Sequence, residues 1–153
     1  MLRELVEQGH TLFVDSVPDW REALRLGCAT LVADGTVTEA YADELIASVE
    51  KHGPYIVLMP GFAMPHSMEG SACAHGTAIA FMKVNTPVQF DPDDRDKDAT
   101  VFFTLASVDT DAHLKNMQQL FKMLTNEELV AQLPLVTCNE DLLRLSEKYL
   151  DNK

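Results

Sequence analysis

The stretch "GPYIVLMPGFAMPHS", residues 53–67, contains the most apolar segment of the chain and ends at a histidine. It opens with a Gly-Pro break, continues as an apolar and partly β-branched run at 55–59, and breaks again at a Pro-Gly pair. Apolar runs of this length between turn residues are typical of buried strands. A second short apolar piece leads to Pro65 and His66. The stretch therefore predicts a strand at 55–59, followed by a turn that presents an imidazole.

Helical and strand-like patterns alternate outward from this stretch. The predicted helices lie at 2–8, from Asp19 to Asp34, from Thr38 to Gly53, at 111–124 and from Asn139 onward. The predicted strands lie at 11–14, 55–59, 77–84 and 100–107. We expect Asp19 to open the second helix, and Thr38 and Asn139 to cap the third and the last. In the 111–124 helix, the residues expected to face inward are Leu114, Met117, Leu120, Phe121 and Leu124. This alternation predicts an α/β sandwich in which helices cover a sheet.

Length and charge limit the classes of function. The chain has 153 residues, which predicts one domain spanning 1–153. Its formal net charge of −12 disfavours nucleic acid and an anionic membrane surface, because both are bound through clustered Lys and Arg. The same charge suits a basic protein partner.

Cysteine usage and hydropathy indicate the compartment. The three cysteines, Cys28, Cys73 and Cys138, are widely spaced and form no CxxC pair. We expect Cys28 and Cys138 to act as small buried hydrophobic residues. No signal-peptide pattern opens the sequence, and no stretch approaches the ~20 apolar residues of a membrane span. The sequence therefore predicts a reduced, soluble, cytoplasmic domain.

His66 has two readings. In the first it is a turn residue beside a proline, with no chemical role. In the second it is held for chemistry, because Met64-Pro65 stiffens the approach to the ring and the glycines Gly61 and Gly70 bracket the segment. Spacing alone does not decide between the two.

His113 is the second candidate. It lies in "SVDTDAHLKNM", residues 107–117, which follows a predicted strand and enters a helix. Asp109 or Thr110 is the expected N-cap, which places His113 in the first turn, where backbone N–H groups favour an anion. The alternative is an ordinary polar residue at a helix start. Two histidines in loops at strand ends are nevertheless how open α/β sheets build sites.

The remaining histidines and cysteines support a rival metal site poorly. Cys73 and His75 stand two apart, which is not a typical zinc spacing, and neither HExxH nor paired CxxC is present. We interpret His10 and His52 as structural or exposed. The sequence contains no GxSxG, P-loop or GxGxxG motif, so it gives no support for a hydrolase, an NTPase or a dinucleotide-binding protein.

These segments together resemble a known family. The stretch at 53–67, a strand such as "GTAIAFMKVNTPVQF", the acidic turn "DPDDRDKD" and "DATVFFTLASVDTDAHLKNMQQLFKML" are similar to the IIA component of the sugar phosphotransferase system (PTS), mannitol/fructose class. Within that class the chain resembles the ascorbate-specific IIA proteins, which show a similar GPY…PG-x-AMPH stretch. The similarity covers nearly the whole chain.

The resemblance implies a fold and a reaction. The implied fold is a mixed sheet with helices on both faces. The histidine after the proline, here His66, accepts a phosphoryl group from phosphorylated HPr and passes it to a cysteine of a IIB protein. The second histidine, here His113, lies beside His66 and helps to hold the phosphoryl group. Because the transfer needs donors to the equatorial oxygens, we also expect backbone N–H groups around Ser67 to Gly70 to contact them. No metal or other cofactor is implied, and the resemblance leaves a homodimer open.

The sequence departs from the family pattern in two places, and one alternative function is left open. Ser67 stands where many relatives have glycine; its hydroxyl either donates to the phosphoryl group or only caps the turn. Mannitol-type relatives carry an arginine upstream that the matching stretch 48–52 lacks, which favours ascorbate, or a related sugar or pentitol, over mannitol. The alternative function is a regulatory module phosphorylated on the same histidine without a transport role.

Overall fold

The computed structural model describes residues 1–67 and 73–150. A mixed five-stranded sheet forms its centre, in the order β1-β4-β5-β3-β2. The strands are β1 (Thr11–Val14), β2 (Val57–Met59), β3 (Gly61–Ala63), β4 (Ala78–Val88) and β5 (Ala99–Ala106). β1 pairs with β4, and β3 with β5, in parallel, whereas β4–β5 and β2–β3 are antiparallel. The predicted mixed sheet is confirmed.

Helices cover both faces of the sheet, as predicted. They are α1 (Leu2–Glu7), α2 (Trp20–Ala33), α3 (Ala40–His52), α4 (Thr110–Leu124), α5 (Glu127–Gln132) and α6 (Asn139–Leu145). α2 and α3 pack on one face, and α1, α4, α5 and α6 on the other. α5 was not predicted, because six residues show too little periodicity to indicate a helix. No helix in the described ranges is long and apolar enough to cross a bilayer.

The central strands alternate between the two cores because successive side chains of a strand point to opposite faces. On β4, Met82 lies in the α2/α3 core and Phe81 in the opposite core. On β5, Phe102 lies in the α2/α3 core and Phe103 in the opposite core. Both faces are therefore buried over the centre of these strands, which explains the apolar runs at 78–82 and 101–103.

α2 passes unusually close to the sheet at Gly27. A Cβ atom at this position would lie 3.0 Å from the Oγ1 atom of Thr104 on β5. Thr104 is fully buried, so it has little room to move away. This close approach is the reason for glycine at position 27.

Two predicted caps are wrong. The residue preceding α3 is Glu39, not Thr38, because the Thr38 amide donates to the Cys73 carbonyl and fixes that residue in a loop-to-loop contact. Asn139 is the first residue of α6 rather than its cap, and its Oδ1 accepts a hydrogen bond from the Thr11 hydroxyl, 2.6 Å away. Asp19 caps α2 as predicted, through Oδ1 and the Glu22 amide.

The predicted inward face of α4 is also partly wrong. Leu120 and Leu124 are buried as expected, and Met123 is buried with them. Leu114 and Phe121, however, are 51% and 44% exposed. They lie seven residues apart and therefore share a stripe that is rotated away from the core.

The cysteines form no disulfide. Cys28 is fully buried, and burial raises the pKa of its thiol to about 12. Cys138 is only partly buried, contrary to prediction, because it precedes α6 in an extended conformation at the protein surface.

Candidate functional site

The parallel pairing of β3 and β5 brings two sequence-distant loops to one edge of the sheet. Parallel neighbouring strands end at the same edge, so the residues that follow each strand lie side by side. After β3 the pairing continues: the Leu105 amide donates to the Pro65 carbonyl at 2.9 Å, and the Met64 amide donates to the Ile56 carbonyl at 2.7 Å. His66 therefore leaves the sheet from a segment that is hydrogen-bonded on both sides.

His113 reaches the same edge from the other loop. Asp109 is the N-cap of α4, since its Oδ1 accepts from the Ala112 amide at 2.7 Å, and His113 lies in the first turn as expected. The ring centroids of His66 and His113 are 5.6 Å apart, with an interplanar angle of 36°. The two histidines singled out in the sequence thus form a pair.

One ring nitrogen of His66 is hydrogen-bonded to the backbone. Its Nδ1 atom lies 2.6 Å from the Met64 carbonyl oxygen. A carbonyl oxygen can only accept, so Nδ1 carries the hydrogen, and in the neutral ring Nε2 keeps the lone pair. The site therefore presents Nε2 as the free nucleophilic atom of His66.

Burial keeps both imidazoles neutral near pH 7. It lowers the pKa of His66, and a positive charge on His113 would lower it further, while the Met64 carbonyl opposes the change. Burial also lowers the pKa of His113. A neutral imidazole is the nucleophilic form.

Two tyrosines that the sequence did not single out as functional hold the loop of His66. The Tyr55 hydroxyl lies 2.6 Å from the His66 carbonyl oxygen, and the Tyr41 hydroxyl lies 2.6 Å from the Leu105 carbonyl oxygen. Tyr41 is a buried residue of the α2/α3 core. The sequence offered one indication of this role, the residue type, because a buried tyrosine needs a hydrogen-bond partner for its hydroxyl.

Ser67 is partly buried and directly follows His66. The other predicted backbone donors, up to Gly70, lie outside the described residues.

Cys73 and His75, the residues considered for a metal site, make contacts with different partners. The Cys73 thiol lies 3.7 Å from the Glu44 carboxylate, whereas His75 is exposed and its amide donates to the Thr36 carbonyl. Within residues 1–67 and 73–150, no group of three or more His, Cys, Asp or Glu side chains is arranged to hold a metal ion.

The chain matches a known family over nearly its whole length. Residues 4–148 match the family model of the phosphoenolpyruvate-dependent sugar phosphotransferase system, EIIA 2. The chain belongs to this family. Components of this system are phosphotransferases, so the predicted enzyme class is confirmed, and the histidine pair lies in a phosphotransferase domain.

Relatives and solved structures agree with this assignment. An ascorbate-specific PTS system EIIA component from Shigella boydii is 30% identical over 130 residues, 84% of this chain and 83% of that protein. The crystal structure of a putative PTS IIA domain from Streptococcus pyogenes is 32% identical, with a TM-score of 0.84, and covers 99% of this chain and 96% of that one. The Escherichia coli mannitol-specific cryptic enzyme IIA CmtB is 26% identical, with a TM-score of 0.82 and coverage of 96% and 98%.

A solved complex shares the fold. It contains enzyme IIA and phosphorylated enzyme IIB of the Escherichia coli mannitol system, and its matching chain is 19% identical, with a TM-score of 0.77 and coverage of 91% and 94%. The EIIA fold predicted from the sequence is therefore confirmed.

Proposed function

We propose that this EIIA protein is a phosphoryl carrier that accepts a phosphoryl group from phospho-HPr on His66 and passes it to a cysteine of a IIB protein. The observation that carries the proposal is the His66 side chain, with Nδ1 bound to the Met64 carbonyl and the ring beside His113. The whole chain, 1–153, acts as one cytoplasmic IIA domain, and the transfer needs no metal.

The first transfer is an in-line substitution at phosphorus. The Nε2 lone pair of His66 attacks, the phosphorus–nitrogen bond of phospho-HPr breaks, and the electron pair returns to the HPr imidazole. Because Nδ1 keeps its hydrogen, the phosphorylated ring is cationic, and the Met64 carbonyl stabilises it as an acceptor. Such reactions depend mainly on positioning and on hydrogen-bond donors to the equatorial oxygens.

His113 is the proposed donor to those oxygens. Its ring is close enough to His66 to contact a phosphoryl group on Nε2, and the start of α4 adds the positive end of a helix dipole. The Ser67 hydroxyl is a second proposed donor. The second transfer reverses the chemistry, with a IIB thiolate as the attacking group.

The surface around His113 suits protein partners. Val108 and Leu114, on either side of the α4 N-terminus, and Phe121, one heptad further along, are all exposed apolar residues. An apolar patch on a chain of net charge −12 fits a basic donor protein, with charge steering the encounter and apolar contact holding it.

The relatives support a proposal for the sugar that the system serves, although a IIA component does not itself contact the sugar. The relative described above is named ascorbate-specific. We therefore propose L-ascorbate, or a related sugar or pentitol, as the transported compound.

The decisive experiment is phosphoryl uptake by the purified protein. The protein is incubated with phosphoenolpyruvate, enzyme I and HPr, and its intact mass is measured. We expect the gain of one phosphoryl group, which is then lost on addition of the matching IIB protein. No gain would overturn the proposal, and a gain that no IIB protein removes would favour the regulatory alternative.

A further inference from the structure

We propose that Tyr55 is a positioning residue for His66, acting through the carbonyl of the peptide group between His66 and Ser67 while Tyr41 holds the neighbouring strand at Leu105. This inference rests on the proposed function, because it concerns how the nucleophile of that reaction is held. The Tyr55 hydroxyl donates to the His66 carbonyl, and the Tyr41 hydroxyl donates to the Leu105 carbonyl.

The direction of each hydrogen bond follows from the partners. The Tyr55 hydroxyl lies 2.6 Å from the His66 carbonyl and 3.0 Å from the Ser48 hydroxyl. A tyrosine hydroxyl has one hydrogen, and the carbonyl can only accept it, so Tyr55 donates to His66 and accepts from Ser48. Burial raises the pKa of Tyr55, which keeps this donor protonated at neutral pH.

The second tyrosine holds the neighbouring strand. Tyr41 donates to the Leu105 carbonyl at 2.6 Å, and the Leu105 amide donates to the Pro65 carbonyl at 2.9 Å. Burial is the main reason that the pKa of Tyr41 is raised. The segment that carries the nucleophile is thus tied to α3 through Leu105 and Tyr41, and to the loop after α3 through Tyr55.

Tyr55 completes a series of hydrogen-bonded carbonyls. The Met64 carbonyl accepts from His66 Nδ1, the Pro65 carbonyl from the Leu105 amide, and the His66 carbonyl from Tyr55. The first of these bonds spans only two residues, so its geometry depends on the backbone angles between them. Pro65 fixes one of those angles through its ring. Tyr55 restrains the far end of the segment at the His66 carbonyl.

Tyr55 also limits the imidazole itself. Its ring lies nearly perpendicular to the His66 ring, at 86°, with centroids 5.3 Å apart. His66 is therefore contacted by Tyr55 at both the backbone and the side chain. This arrangement holds Nδ1 against Met64 and leaves Nε2 available beside His113.

A simpler view is that the His66 carbonyl only satisfies a half-buried hydroxyl. The two views differ in what the hydroxyl controls. If the Tyr55 hydroxyl positions the ring, its loss changes the tautomer of His66 and the rate of phosphoryl transfer within the complex with phospho-HPr. If the His66 carbonyl only satisfies this hydroxyl, its loss changes the stability of the protein alone.

The test is Tyr55→Phe, which removes the hydroxyl and keeps the ring. Tyr149→Phe is the matched control: Tyr149 lies near Lys122 and Met123 at the C-terminal end of α4, whereas His113 lies at its start. We measure the nitrogen chemical shifts of His66 by NMR, and the kcat and KM for phosphoryl uptake from phospho-HPr.

We expect Tyr55→Phe to lower the Nδ1-protonated fraction of His66 and to lower kcat by about 10- to 100-fold, while KM changes less than about twofold. Tyr149→Phe should match the original protein in both readouts. Ser48→Ala leaves the Tyr55–His66 hydrogen bond in place and should therefore lower kcat less than Tyr55→Phe does. If Tyr55→Phe does not fold, Ser48→Ala still tests the hydrogen bonds of the Tyr55 hydroxyl.

An unchanged tautomer together with an unchanged kcat would overturn the inference, as would an effect on KM alone. The tautomer measurement needs no phosphoryl donor. If the original protein takes up no phosphoryl group, the proposed function fails, and the NMR comparison still decides the role of Tyr55.

Discussion

The Pro65 carbonyl accepts a hydrogen bond from the Leu105 amide at 2.9 Å, so the parallel pairing of β3 with β5 extends past the last residue of β3. This contact fixes the residue before His66 to the strand that leads into α4. The relative position of His66 and His113 is therefore set by the sheet rather than by two independent loops. A site built on strand ends in this way needs little rearrangement to react.

The first prediction concerns the phosphoryl acceptor. His66→Gln keeps a side chain of similar size and polarity but has no nucleophilic ring nitrogen. We expect the original protein to carry one acid-labile, base-stable phosphoryl group and the variant to carry none, by intact mass. Circular dichroism checks that the variant is folded. Equal labelling of a folded His66→Gln protein would refute the central assignment.

A second prediction separates the acceptor from the helper. His113→Ala removes the proposed donor to the phosphoryl oxygens but leaves Nε2 of His66 in place. We expect uptake from phospho-HPr to continue at a rate lowered by about 10²–10³, the effect of losing one preorganised donor. His66→Ala should take up none. Rates of uptake and of release to IIB are measured for each, and labelling of His113 in the His66→Ala protein would invert the two roles.

The limits of sequence reasoning are visible in this region. Both histidines were identified because their signals are local: a Pro-His pair after an apolar run, and a capped helix start. Tyr55 was placed in a strand, yet it precedes β2 and its role depends on the hydroxyl reaching His66. The exposed position of Phe121 was missed because an apolar stripe defines a helix face but does not show which of its residues reach the core. Such facts follow from tertiary contacts, which periodicity does not contain.

The third prediction concerns pH. Burial, and then the nearby His113, hold the pKa of His66 below its ordinary value of 6.5. The neutral ring is reactive, so uptake should increase as pH rises through this lowered pKa and should be constant above about pH 6.5. An NMR titration of the His66 ring gives the pKa directly. In His113→Ala we expect it to move up toward 6.5; a value above 6.5 in the original protein would contradict this account.

A fourth prediction concerns metal. The proposed transfer relies on a positioned nitrogen nucleophile and hydrogen-bond donors, so we expect it to need no Lewis acid. Purified protein should contain no stoichiometric zinc by elemental analysis, and chelator should leave phosphoryl uptake unchanged. A stable content of one zinc per chain that is lost together with activity would revive the hydrolase alternative.

The last prediction tests whether the start of α4 matters to the reaction beyond its stability. Asp109 and Asp19 make equivalent caps: Oδ1 of Asp109 accepts from the Ala112 amide at 2.7 Å, and Oδ1 of Asp19 accepts from the Glu22 amide at 2.9 Å. Replacing either by alanine should lower the free energy of unfolding by about 1 kcal/mol, measured by urea denaturation. Only the first turn of α4 carries His113, however.

Asp109→Ala should therefore slow phosphoryl uptake several-fold more than Asp19→Ala does, at matched stability. The reason is that fraying of the first turn moves the His113 ring relative to His66, whereas fraying of α2 leaves both histidines in place. Rapid-quench measurement of uptake under saturating phospho-HPr compares the two variants directly. Equal rates would mean that His113 is held by its packing beside His66 and not by the helix cap.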